Sequence, residues 1–170
     1  MFVAPERYIS IFRKMKTKRC GVLYNPAKSG WYLKQAHRAA AEAGMELVAR
    51  EVSDPRQTMG QLATLSGTVD ALWMLPDSTA VTRETVEVYF RFAHQNNVPL
   101  ISFASSYLTL GAAAVVEIDR YALGKQAAGK VSEIIGGGDV SEMPLEYPKT
   151  HSRKTNMNVL KRLFYSLDPE

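Results

Sequence analysis

The chain has 170 residues, 46% of them hydrophobic, and a net charge of +4. That is enough for one domain with a real core. The excess positive charge comes mainly from two short runs, RKMKTKR (13–19) and KTHSRK (149–154). Neither run interleaves with aromatic or base-reading groups, so no nucleic-acid partner is expected. Cys20 is the single cysteine, which excludes an intrachain disulfide and a cysteine-based metal cluster. No apolar run is long enough to cross a bilayer. The N-terminal stretch MFVAPERYISIFRKMK lacks the basic-then-apolar order of a signal peptide.

In chain order, residues 4–15 predict a short amphipathic helix, with Pro5 in its first turn and Tyr8, Ile9, Phe12 and Met15 on one side. Residues 20–24 predict a strand. Residues 30–43 predict a helix ended by Gly44. A second strand follows over 45–52. Asp54 then caps a helix that runs to about Leu65, with Pro55 at its first position. The almost wholly apolar VDALWML (69–75) reads as a strand covered on both faces. PDST (76–79) breaks it before a long helix over 80–97. Strands at 98–104 and 113–118 flank a loop or short helix, SSYLTLGA. A helix over 119–138 is stopped by Gly136, Gly137 and Gly138, the best hinge candidate in the chain. Residues 141–155 read as extended and proline-interrupted, and a last helix covers 156–165. Strands and helices alternate at short intervals. That pattern predicts an α/β sandwich: three layers around a mainly parallel sheet with crossover helices.

In an open parallel sheet, ligands bind beyond the carboxyl ends of the strands. Three polar loops fall there: NPAKSG, PDST and SSYLTLG. Each residue in them also has a local role to play. Asn25 suits an Asx turn before Pro26, and Ser29 suits a cap on the next helix. Asp77 or Ser78 suits a cap near Thr79, and Ser105 a cap on a short turn. What points to function is their coincidence on one edge. A helix start also offers free N–H groups to an anion. Patterns for catalysis are lacking. NPAKSG has no P-loop spacing, and there is no G-x-S-x-G elbow. His37, His94 and His151 are far apart, so neither a metal nor another cofactor is expected. Trp31, Tyr32 and Trp73 are candidates for an aromatic wall, with core packing the alternative for Trp73.

Four segments then carry a resemblance. KRCGVLYNP, VDALWMLPDST, NNVPLISFASSYLTLGAAAVVEIDRYALGKQAAGKVSEIIGG and EMPLEYPK occur in the order seen in ABC-transporter solute-binding proteins of the TrpX-like group. The chain resembles the second half of such a protein, over about residues 5–163. The resemblance implies the type I periplasmic-binding-protein fold of bacterial transport proteins: two α/β lobes that close over a small solute without catalysis. It implies amino-acid ligands, an ABC permease as membrane partner, and a periplasmic or membrane-anchored extracytoplasmic location. It places Asn25, Ser29, Asp77, Ser78 and Thr79 on the interlobe cleft, and Ser105 and Ser106 on a loop near the hinge. There, Asp77 would suit an ammonium group and the hydroxyls a carboxylate. By the same resemblance, 5–20 is a lead-in helix and 20–104 holds the core βα units. Residues 105–138 are the segment that packs with the other lobe, and 139–170 form a crossover tail and last helix. Without the first lobe, exposed apolar surface favours a homodimer. Trp31 stands where smaller residues are common in the group. The alternatives are an intracellular ligand-sensing or regulatory domain on the same fold, or an enzyme on a flavodoxin-like sandwich.

Overall fold

The computed structural model describes residues 1–144 and 146–165. Leu145 and residues 166–170, read above as part of the tail, lie outside the described residues. Six strands form one sheet in the order β2-β1-β3-β4-β5-β6. They are β1 (Arg19–Tyr24), β2 (Glu46–Glu51), β3 (Ala71–Trp73), β4 (Leu100–Ser102), β5 (Ala114–Ile118) and β6 (His151–Thr155). β1 to β5 are parallel, with Cys20 beside Leu47 on one side and Ala71 on the other. β6 runs antiparallel to β5, pairing Ala114 with Thr155 and Ile118 with His151.

The strand residues divide by the two-residue period of a pleated sheet. Val22, Ala71 and Trp73 pack on one face with Tyr8, Phe12, Tyr32 and Leu33, which come from α1 (Pro5–Lys14) and α2 (Pro26–Glu42). Leu23, Leu72, Met74 and Leu100 pack on the other face with Leu62, Leu65, Tyr89 and Phe92. That layer contains α3 (Thr58–Ala63) and α4 (Val86–Gln95). The α/β three-layer sandwich is therefore present, with both faces of the central strands covered. Gly21 is tightly packed: a Cβ there would lie 2.9 Å from Leu65 Cδ1. Gly44, at φ +69°, turns the chain out of α2 in a conformation that only glycine adopts freely.

Several boundaries differ from expectation. α2 begins at Pro26, not at Gly30. Asn25 is its N-cap, with Oδ1 accepting from Ala27 N–H at 2.9 Å, so the capping role goes to Asn25 and not to Ser29. Asp54 does cap, but a 3-10 turn (Pro55–Gln57) precedes the short α3. The helix expected from residue 80 starts only at Val86. Threonine hydroxyls hold the preceding residues in turns: Thr85 Oγ1 donates to Ala80 O at 2.9 Å and accepts from Thr82 N–H at 2.8 Å. The loop after β4 contains α5 (Ser106–Thr109). The tail, expected to be extended and irregular, places residues 151–155 in the sheet as β6.

Between β5 and β6 the chain makes an excursion. It leaves at Asp119 and returns at Thr150, whose carbonyl accepts from Asp119 N–H at 3.2 Å. Both ends therefore sit at the carboxyl edge of the parallel strands. The excursion is mostly α6 (Arg120–Ile135), a helix with no buried residue that leaves Tyr121, Val131 and Ile135 exposed. After it, α7 (Met157–Arg162) docks Leu160 into the core.

Candidate functional site

The carboxyl ends of β1, β3, β4 and β5 line up along one edge, as parallel pairing requires. At the β1 and β3 ends the two loops are tied together by Asp77. This side chain is 2% exposed and accepts four hydrogen bonds. One oxygen takes the backbone N–H groups of Thr79 (2.8 Å) and Ala80 (3.1 Å), which closes a turn after β3. The other takes Asn25 N–H at 2.8 Å and the Ser29 hydroxyl. Asn25 Nδ2 also donates to Thr79 Oγ1 at 3.1 Å, and Lys28 Nζ donates to Ser78 Oγ at 2.9 Å. So Asn25, Ser29, Asp77, Ser78 and Thr79 do come together. Within that group Ser29, Asp77 and Thr79 are buried, while Ser78 is exposed. A buried carboxylate with four donors is an organiser of loops: its lone pairs are already occupied by the chain itself.

Ser105 and Ser106 lie farther along the edge, beyond β4. Ser105 donates to Glu117 on β5 through both its hydroxyl and its N–H, and Lys154 Nζ on β6 reaches both partners at 2.8 Å. The Lys154 ammonium and then the Ser105 hydroxyl hold the Glu117 carboxyl down to about 2. Ser106 is exposed and opens α5.

Between these clusters a cleft of about 510 Å³ opens beside the β3, β4 and β5 ends. Pro76, Phe103, Val116, Ile118 and Leu123 give it an apolar lining, with Val3 and Tyr8 below and Glu117 and Arg120 as its charged side chains. Tyr8 donates its hydroxyl to Val116 O at 3.3 Å, and burial pushes the phenol up, so it stays neutral. None of the seven residues singled out from the sequence lines this cleft. Asp77 and Ser105 each follow a lining residue, Pro76 and Ala104, and Ser105 also bonds Glu117. Sequence reasoning missed Glu117, Arg120 and Lys154. The signal for Glu117 was there: a charge closing the otherwise apolar strand AAVVEI.

The aromatic wall is also different from expectation. Tyr32 and Trp73 are wholly buried core residues. Trp31 is 43% exposed, but it packs edge-on against Phe2 at 5.5 Å and stacks on Tyr147 at 6.4 Å. The cleft takes its aromatic surface from Tyr8 and Phe103 instead. Among the described residues no group of three or more His, Cys, Asp or Glu side chains is placed to hold a metal ion. No helix among them is long and apolar enough to cross a membrane.

The model of the family described as ABC transporter substrate binding protein matches residues 4–167. This chain belongs to that family. A tyrosine-binding protein of Clostridioides difficile (strain R20291) is 26% identical over 132 residues, which is 76% of this chain and 38% of that protein. The ABC domain from Streptococcus pneumonia, solved with L-Trp, superposes with a TM-score of 0.76 at 17% identity and covers 98% of this chain and 58% of its own. A substrate binding protein with adhesive properties from Clostridium difficile, solved in a ligand-free, open form, gives a TM-score of 0.71 at 21% identity over 98% of this chain and 57% of its own. These structural likenesses establish the fold. The chain spans little more than half the length of these solved relatives and 38% of the curated one.

Proposed function

We propose that this chain is the solute-recognising lobe of an ABC importer's binding protein. It holds a small solute such as an amino acid in an interlobe cleft and performs no catalysis. The observation that carries this reading is the cleft of about 510 Å³ at the carboxyl edge, flanked by polar loops on rigid strand ends. The tyrosine-binding relative and the L-Trp complex support amino acids, and aromatic ones first. In this reading Asp77, Asn25 and Ser29 hold the loops in shape. Thr79 and Ser105 are held by Asp77 and Glu117, and the exposed Ser78 and Ser106 offer their hydroxyl groups to the solute from the rim. The second lobe closes from the side of α6, whose unburied helix leaves and re-enters the domain at this edge. Solute binding then stabilises the closed form, a hinge motion that an extracytoplasmic protein presents to its permease.

Thermal-shift and calorimetric titrations of the chain against the amino acids test this. A ligand at a hundred times its Kd stabilises the folded state by about 2.7 kcal/mol. The expected result is a raised Tm with L-tyrosine or L-tryptophan. A folded sample that no amino acid shifts would overturn the amino-acid reading.

A further inference from the structure

The charges at the cleft do not match a zwitterion. Its lining has one carboxylate and one guanidinium, Glu117 and Arg120. Glu117 is neutralised by the chain itself: Lys154 Nζ lies 2.8 Å from Oε2, and Ser105 donates to both oxygens. Asp77, next along the edge, is buried and takes four donors from the protein. Asp119, between Glu117 and Arg120 in sequence, is outside the lining and caps α6 through Ala122 N–H at 2.9 Å. The guanidinium of Arg120 has no carboxylate partner among the described residues, and Lys28 reaches only the Ser78 hydroxyl. Glu117 therefore brings its own cation, and Arg120 is the lining charge left for a visitor, over an apolar floor of Val3, Phe103, Val116, Ile118 and Leu123.

We infer that Arg120 anchors the carboxylate of a solute with an apolar or aromatic body, and that this lobe makes no use of an α-ammonium group. The class is thus wider than amino acids and includes their deaminated counterparts. This rests on the solute-binding reading above. A guanidinium suits the task because its planar fork pairs both carboxylate oxygens. An ammonium brought to this lobe would meet Arg120 and find Glu117, Asp77 and Asp119 each engaged.

Three matched probes separate the possibilities: L-tyrosine, 3-(4-hydroxyphenyl)propionate and tyramine, titrated calorimetrically into the whole chain. The expected order is equal binding, within about threefold, for the two carboxylates, and none for tyramine. Arg120→Ala should weaken both carboxylates by about tenfold or more, and Arg120→Lys should recover part of that loss. Arg120 is exposed, so an unchanged Tm will show that the variants fold. Glu117→Gln should shift L-tyrosine and the propionate alike, because neither uses the Glu117 carboxylate through an ammonium group. The inference is overturned if L-tyrosine binds and the propionate does not, or if Glu117→Gln selectively abolishes L-tyrosine. It also fails if Arg120→Ala binds as well as the parent. Those outcomes leave solute binding standing, whereas silence from all three probes and from every amino acid would remove both readings.

Discussion

The two carboxylates of the binding edge are held in opposite ways. Asp77 is 2% exposed and is wired to two N–H groups of one backbone turn, a serine hydroxyl and the start of the loop after β1. The Glu117 side chain is 35% exposed and is balanced by a lysine from an edge strand. The first arrangement makes a rigid frame, because four donors would be left buried without it. The second makes a rim, because water can replace each of its contacts. The edge thus combines fixed strand ends with a solvated rim.

The comparison can be broken first at Asp77. Asp77→Ala orphans four donors at a buried site and should cost about 3 kcal/mol or more. Chemical denaturation is the measurement, and a loss below 1 kcal/mol would mean that water satisfies the turn. Ser29→Ala removes one of those donors and leaves a buried carboxylate short of a partner. It should cost about 1–2 kcal/mol. At the rim the effects shrink. Lys154→Ala should lower stability by less than about 1 kcal/mol, since both partners face water and salt screens them. A Lys154 loss as large as that of Asp77 would show that the rim is part of the frame. The smallest effect is on pH dependence. Glu117 has its folded-state value depressed to about 2, so its contribution is full above the ordinary carboxylate range near 4.3 and fades as pH falls toward 2. The stability gap between the parent and Glu117→Gln should therefore close between about pH 5 and pH 2. A gap that is flat across that window would exclude the ion pair.

Some of this was legible in the residues. The apolar run at 71–75 predicts a strand covered on both faces, and alternate residues go to the two core layers. The loops after β1, β3 and β4 are expected on one edge of the sheet, and they do share it. Other parts were hidden. HSRKT looks like a solvated tail because an edge strand buries only alternate side chains and its charges mask the period. The late start of α4 depends on threonine hydroxyls that compete with the helix for backbone groups. Arg120 and Lys154 read as ordinary surface cations, since nothing local says which carboxylate each will meet.

Taken alone, the sequence determined the strand–helix alternation, the parallel core, the Asp54 cap, and the carboxyl edge on which the polar loops fall. These follow from hydrophobic period and local backbone chemistry, which act over a few residues. Only the tertiary structure decided that Asp77 is occupied by its own chain, that Glu117 is paired with Lys154, and that Arg120 has no carboxylate partner among the described residues. Electrostatic pairing is settled by distance in space, and Glu117 and Lys154 are 37 residues apart along the chain yet 2.8 Å apart in the fold.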